Sequence, residues 1–453
     1  MVDAPIMGNH IATSPAALTL VGAARVEITP PLNVGILMSS VEERWAPFEG
    51  VQSPLLARAL VMRNAAEQGA NAVAIVALDL LGLSGTAVGG WHAFKARISE
   101  SAGQVVHPDR IVLACSHTHS GPESAALSDL YKTPQHKAWI TLLIERIGKS
   151  IAEAACTTCP CRLEHRVTTA PGWGIFRRIH TTQGILLSHP PPPDHIVLSR
   201  DGPVDDSVNL LVARDVREGH VVAMVVNATC HPVHEMCIPR VSADFPGILA
   251  GALEEWHPGC VALFLNGAAG NINPTTVSAG PDASRHHGMA LAGAIQRLLA
   301  SGTMSGSTNG RIALVRRAVA LPSRSSTGLV AGGSLHAEVV GLRVGPMAFA
   351  FLPGEPFVET ALSLREQSPF DATAVVGYAE DYIGYVPTDA AFIEGGYETT
   401  FGRWSVLAPG SEPALHRETI ALLNDLHAGV GGEEVRPPGR DTRPPTTECE
   451  SHA

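Results

Sequence analysis

Cys115-Ser116-His117-Thr118-His119-Ser120-Gly121-Pro122 sets two imidazoles two residues apart, immediately after the apolar run Ile111-Val112-Leu113-Ala114. Histidine both ligates metals and moves protons near neutral pH. If the chain stays extended beyond that run, residues two apart project to the same side. Both rings then face one space, and the local pattern supports metal or proton chemistry.

The same delivery recurs at two distant places. The strand-like segment His220 to Thr229 runs into Cys230-His231-Pro232, where the proline holds His231 extended. Met347 to Leu352 runs into Pro353-Gly354-Glu355-Pro356, with Glu355 expected at the start of a helix reaching Arg365. An acid in a first helical turn also suits the helix dipole, so Glu355 taken alone has a simpler account. Taken together, two histidines and one glutamate with a position left for water are the ligand set of a catalytic zinc site, where bound water has its pKa lowered to ~7. No His-Glu-x-x-His motif is present, so separate segments must assemble such a site.

The elements that would position these residues read as α/β. Strands are expected at Ala23 to Thr29, Leu56 to Arg63 and Ala72 to Leu81, the last a nearly continuous apolar run of the kind covered on both faces. A helix from Trp91 to Ala102 then leads to the strand before His117. Strand, helix, strand is the α/β signature. Further helices are expected at Ala138 to Ala155, from Ser242 to about Trp256 and at Arg285 to Leu299. Further strands are expected at Asn209 to Ala213, Val261 to Leu265 and Val375 to Ala379. The polar stretch through Glu42, Glu43 and Arg44 reads as a loop. Gly172 to Arg178 reads as a loop with two adjacent guanidinium groups, open to solvent or to substrate. Asn266 to Pro274 is Gly-rich and follows a strand, but it lacks a P-loop ending and G-x-G-x-x-G spacing. We read it as a tight turn whose backbone approaches a substrate, through Gly267, Gly270 and Asn271. The whole is a mixed β-sheet core flanked by helices, a single large catalytic domain over residues 20–428. It follows an N-terminal segment, 1–19, and precedes a tail from Gly429 to Ala453 whose Gly, Glu, Arg, Pro and Thr cannot build a core.

Composition narrows the partners. With 453 residues and 45% hydrophobic content, most of the chain can bury a large core. A formal net charge of -11, with no run of Lys or Arg, excludes nucleic acid as the expected partner. No apolar stretch approaches the ~20 residues of a membrane span. There is no secretion signal to read, and Cys115, Cys230 and Cys260 lie in buried-looking strand contexts, so a reducing, cytoplasmic setting is expected. Cys156, Cys159 and Cys161 lack an evident fourth ligand, and a turn accounts for them as well as a metal does.

Eight segments together resemble the catalytic domain of the neutral/alkaline non-lysosomal ceramidase family. They are Gly22 to Pro31, Leu55 to Leu60, Ala77 to Leu80, Ser116 to Pro122, His231-Pro232, Asn266 to Pro274, Leu352 to Pro356 and Tyr382 to Tyr385. The resemblance spans about residues 20–405. It implies a zinc amidohydrolase that cuts an N-acyl bond, with His117, His231, Glu355 and Tyr385 as metal ligands. It further implies His119 as the proton-handling group, Arg177 beside the reaction centre and Tyr397 stabilising the oxyanion. The sequence departs from the family's pattern in three ways: Asn273 stands where ceramidases carry a serine, Phe176 where they carry an asparagine, and no C-terminal immunoglobulin-like domain follows. These departures point to an acyl amide other than ceramide, either a small molecule or a lipid-like one. A zinc esterase or lactonase on the same site, and a non-catalytic metal-binding protein, are the alternatives. A homo-oligomer is left open.

Overall fold

Val73-Ala74-Ile75-Val76-Ala77-Leu78 forms a strand buried at every position, which requires cover on both its faces. That cover comes from a four-layer arrangement. The protein is described by a computed structural model covering residues 19–39, 42–44, 47–65, 71–302, 307–308 and 311–429. The expected N-terminal segment up to residue 18, and the expected tail beyond Gly429, lie outside the described residues.

The larger sheet contains β1 (Thr19–Glu27), β2 (Leu56–Asn64), β3 (Val73–Leu78), β4 (Ile111–Cys115), β5 (Cys159–Thr169), β6 (Ser207–Asp215), β7 (Val221–Ala228) and β8 (Val261–Asn266). In space the order is β8-β7-β6-β5-β1-β2-β3-β4. The two outermost pairs, β3 with β4 and β7 with β8, are parallel. Parallel neighbours need a crossover, usually a helix. Here α1 (Trp91–Ser101) supplies the first, while α2 (Pro134–Cys156) packs nearby; α3 (Asp244–Trp256) supplies the second, with α4 (Pro281–Ala300) beside it. The smaller sheet is β9 (Ile312–Ser323), β10 (Gly333–Val344), β11 (Met347–Phe351) and β12 (Ala372–Val376) in that order, with β11 and β12 parallel around α5 (Val358–Gln367).

Side-chain alternation assigns each strand face to a layer. Leu60, Met62, Ile75 and Val112 meet Leu342, Phe349 and Phe351 between the two sheets. Ala59, Val61, Val76 and Leu113 face outward under Phe94, Ile98, Trp139 and Leu143 of α1 and α2. Phe245, Leu249 and Leu291 of α3 and α4 cover β6 to β8. The far face of the smaller sheet lies under α5 and α6 (Ser411–Ala428) through Leu364, Leu415 and Leu422. Gly341 of β10 leaves room for α6, since a Cβ there would meet Leu422 Cδ2 at 2.1 Å. This mixed-sheet and helix architecture is the α/β class expected. Among the described residues no helix is long and apolar enough to cross a membrane.

Several local expectations need correction. The first strand starts earlier, at Thr19, because it pairs along its whole length with β2. The stretch read as a loop contains a hairpin, Ile36–Ser39 with Glu42–Arg44. Glu355 is not in the first turn of α5 but three residues ahead of it, in a two-residue strand paired with Tyr385–Val386. The α6 helix was not anticipated at all.

The two edges of the larger sheet are drawn together at one end. Asn266, the last residue of β8, donates its amide to Ser116 O, after β4, and to Cys230 O, after β7, each at 3.0 Å. Residues 377–380 thread between these edges: Gly377 N donates to Asn266 O at 3.0 Å, Cys115 N to Tyr378 O at 3.0 Å and Glu380 N to Leu113 O at 2.8 Å. Glu380 locks the thread. Its Oε1 accepts Leu113 N at 3.1 Å, and its Oε2 accepts Lys95 Nζ at 2.9 Å and Arg316 Nη1 at 2.7 Å. Burial pushes this carboxyl's pKa up, but Arg316 and Lys95 outweigh burial and bring it down to about 2.

Glu380→Gln leaves two buried cations against a neutral amide, and is expected to lower stability near neutral pH by roughly 3–5 kcal/mol. Because the folded pKa lies below the ordinary 4.5, the carboxylate's contribution is complete above that value and is lost as pH falls towards 2. Urea unfolding of both proteins should show the gap constant from neutral pH down to about 4.5 and narrowing from there towards pH 2.

Candidate metal centre

Parallel strands in α/β folds deliver their ligand-binding groups beyond their carboxyl ends. His117 follows β4, His231 follows β7 and Glu355 follows β11. The drawn-together sheet edges bring all three to one point. His117 Nε2 lies 3.1 Å from His231 Nε2, and Glu355 Oε2 lies 3.3 Å from each of them. His119 Nε2 is 3.2 Å from His117 Nε2.

The route to that geometry differs from the extended one expected. His117 has φ +70°, a conformation a histidine adopts only when its surroundings hold it. Three contacts do so. Its backbone N–H donates to Leu80 O at 2.8 Å, its Nδ1–H donates to Leu81 O at 2.7 Å, and its ring stacks on Tyr378 with centroids 4.0 Å apart. His231 is held alike, with Nδ1–H donating to Ala269 O at 2.6 Å. A carbonyl only accepts, so both Nδ1 atoms carry the proton, and in a neutral ring the Nε2 atom is then a bare lone pair. Burial, and then Arg177, push the His231 pKa down to about 4, which keeps it neutral.

Bare nitrogens and a carboxylate oxygen thus face one another inside the protein. Burial raises the pKa of the Glu355 carboxyl, but a protonated His117, and then a protonated His231, would outweigh burial by charge and hydrogen bond and hold it well below the usual carboxylate range. Its Oε2 accepts no hydrogen bond, while Oε1 accepts the Tyr382 phenol at 2.5 Å. Lone pairs packed this way repel, and a cation between them removes the repulsion. Ligands of one tetrahedral zinc at about 2.0–2.1 Å lie about 3.3 Å from each other, which matches the observed separations. The residues fit a zinc ion.

Two overlapping triads share His117 and His231, one completed by Glu355 and the other by His119. The ring nitrogens of His117, His119 and His231 lie within 4.8 Å of one another. His119 differs from the other two in being half-buried and in having an Nδ1 without a partner. Burial and the neighbouring imidazoles hold its pKa well below the usual histidine range.

Arg177 lies against this group. Its Nη1 is 3.3 Å from His231 Nε2, its Nη2 donates to Tyr385 Oη at 2.9 Å and its Nε to Glu398 Oε1 at 2.7 Å. Tyr385 therefore meets the arginine, and burial raises its pKa well above the usual phenol range. Tyr397 packs on Tyr385 at 5.8 Å, stacks on Trp404 at 5.6 Å and lies 5.9 Å from the Arg177 guanidinium carbon.

Gly267, Gly270 and Asn271, expected to approach a substrate, are buried in the scaffold. A Cβ on Gly270 would meet Glu355 O at 2.6 Å, and one on Gly267 would meet Thr229 Oγ1 at 2.0 Å. Asn271 receives Val358 N on its Oδ1 and donates Nδ2 to Glu359. Gly270 and Asn271 hold the segment that carries Glu355, while Gly267 packs against Thr229. Cys159 and Cys161 place their sulfurs 3.7 Å apart, away from this group, and Cys156 is exposed.

Sequence reasoning assigned no role to Tyr378, Tyr382, Asn273 or Glu398. The spacing of Tyr382, Tyr385 and Tyr397 in one segment was a usable signal, whereas Glu398 left none beyond its place beside Tyr397.

No family model and no curated protein matches the chain. Solved structures do. The crystal structure of neutral ceramidase from Pseudomonas aeruginosa aligns over 92% of this chain and 76% of that one, with TM-score 0.73 and 19% identity. A ceramidase complexed with C2 aligns over the same shares, with TM-score 0.72 and 17% identity. The four-layer arrangement that gathers His117, His231 and Glu355 is therefore the fold of neutral ceramidase.

Proposed function

We propose that this chain is a zinc-dependent amidohydrolase that cleaves an N-acyl bond in a substrate other than ceramide, within one catalytic domain over residues 20–428. The observation that carries the proposal is the set of two buried imidazole nitrogens and a carboxylate oxygen 3.1–3.3 Å apart, with a half-buried imidazole and a guanidinium beside it. The two solved structures that share the fold are named as ceramidases, which supports the same reaction class. His117, His231 and Glu355 would hold the ion, with Tyr385 as the fourth protein group. Bound zinc supplies Lewis acidity and a water acidic enough to attack at neutral pH.

The chain's own groups account for the remaining steps. His119 Nε2, neutral at rest, takes a proton from the attacking water as the water oxygen bonds to the carbonyl carbon. Negative charge moves onto the carbonyl oxygen, where the Arg177 guanidinium and the Tyr397 phenol donate to it. The C–N bond then breaks as His119 returns its proton to the nitrogen, leaving a carboxylic acid and an amine, which exchange the remaining proton to become carboxylate and ammonium at neutral pH. Asn273 Oδ1 lies 3.4 Å from Arg177 Nη1 and its Nδ2 donates to Ser188 Oγ at 3.3 Å, so the position of the ceramidase serine is filled by an amide already engaged. A reducing compartment belongs to the same proposal, supported by Cys115, Cys161, Cys230 and Cys260 being buried thiols.

Elemental analysis of His117→Ala and His231→Ala should show loss of zinc. His119→Ala should keep zinc and lose roughly 10²–10⁴-fold in kcat; full activity in all three variants would mean the site is misassigned. Tyr382→Phe frees Glu355 Oε1, and competition with a chelator should show zinc affinity reduced roughly 10–100-fold. Matched N-acyl p-nitroanilides and p-nitrophenyl esters decide the bond cleaved. Turnover of esters alone would replace the amidase by an esterase, and zinc binding without turnover of either would leave a metal-binding protein.

A further inference from the structure

Glu398 occupies the middle of the single helical turn Tyr397–Thr399 and is wholly buried. Its two oxygens are taken by consecutive arginines: Oε1 accepts Arg177 Nε and Oε2 accepts Arg178 Nη1, both at 2.7 Å. Neighbouring residues on extended chain normally point to opposite sides. Here the strand breaks between Gly174–Phe176 and Arg178–Thr181, and both side chains turn to the same carboxylate. Arg178 has other support, since its Nη2 reaches Glu394 Oε2 at 3.1 Å and Gly395 O at 2.8 Å, and its guanidinium lies 5.5 Å from the Phe357 ring centre.

Arg177 depends on Glu398 more heavily. The Nε atom is the one nearest the stem, so holding it removes the rotations that would swing both Nη atoms away from His231 and Tyr385. The remaining contacts are a neutral phenol, a neutral amide and the His231 lone pair, and a bound cation would take that lone pair. Only Glu398 supplies a negative charge to Arg177 by direct contact among the described residues. Charge matters as well as direction. A buried guanidinium beside a divalent cation is repelled by it, and the carboxylate offsets that repulsion. The turn itself is fixed independently, because Ser405 Oγ donates to Glu398 O at 2.8 Å and Arg324 donates to Thr399 O at 3.1 Å. The same turn also carries Tyr397.

We propose that Glu398 is a positioning residue for the hydrolytic site: it pins Arg177 by the Nε atom, so that guanidinium and Tyr397 phenol meet the carbonyl oxygen as one preset unit. This rests on the amidohydrolase reading for its kinetic consequence, but not for the pin itself.

The test uses the zinc-loaded full chain and Glu398→Gln, which keeps the shape and removes the charge. On p-nitroacetanilide, kcat should fall roughly 10–100-fold while KM stays within about threefold, with zinc content and thermal midpoint close to wild type. In ¹⁵N-arginine spectra, the Arg177 Nε–H resonance, assigned by its loss in Arg177→Lys, should shift and exchange faster with water. Glu394→Gln removes only the outer support of Arg178 and should stay within about twofold of wild type. Should Glu398→Gln not fold, Glu398→Asp carries the test, since withdrawing the carboxylate by one methylene should also lower kcat and move the Nε–H signal. An unchanged kcat and Nε–H signal in a folded Glu398 variant would overturn the proposal, as would an equal kcat loss in Glu394→Gln. If the wild type cleaves no amide, the amidohydrolase reading falls, and the Nε–H signal alone decides whether Glu398 pins Arg177.

Discussion

Mutual repulsion among the donors at the centre of this protein is the constraint to which the rest of the structure answers. His117 Nε2, His231 Nε2 and Glu355 Oε2 sit within 3.3 Å of one another. Left to themselves the side chains would rotate apart. They are held because each is gripped from behind: the two rings by carbonyl oxygens of Leu81 and Ala269, the carboxylate by Tyr382. Each grip belongs to a loop that follows a strand, so the site is only as firm as the junction where those loops meet.

That junction explains features which look wasteful in isolation. His117, Tyr378, Glu380 and Asp244 all adopt positive φ without being glycine, a cost of order 1–3 kcal/mol each where it is not offset. Three of the four lie where residues 377–380 pass between the two edges of the larger sheet. Tyr378 there supplies the ring beneath His117, and Glu380 supplies the buried ion pairs that keep the thread in place. Glycine serves the same junction where even a methyl group is too large, as Gly377 shows: a Cβ there would lie 2.8 Å from Gly267 O. Strain and ion pairing thus coincide at the junction that positions the donors.

Legibility in the sequence followed how local each cause was. The strands β2, β3 and β4 and the helix α1 were readable because apolar periodicity is local. Glu355 was recognised as a metal-competent group but misplaced at a helix start, since its two-residue strand exists only by pairing with Tyr385–Val386. The α6 helix packs through Leu415, Leu422 and Leu423 against a sheet that the chain finishes building only with β12. The Gly-rich turn was read as approaching a substrate, and its Gly270 lies against the Glu355 backbone; approach to a ligand and approach to another main chain demand the same small residues.

The sequence by itself determined the inventory: which side chains can bind a metal or carry a proton, and that apolar strands deliver them to loops. Residue type and short-range spacing are properties of the chain alone. Tertiary structure decided which of them meet. His117 and His231 are separated by most of a sheet's breadth in strand order, and only the closure through Asn266 and residues 377–380 brings them within 3.1 Å. It also separated the two histidines of the opening motif. His117 has its tautomer set by a buried carbonyl and His119 does not, a difference that no spacing of two residues can encode.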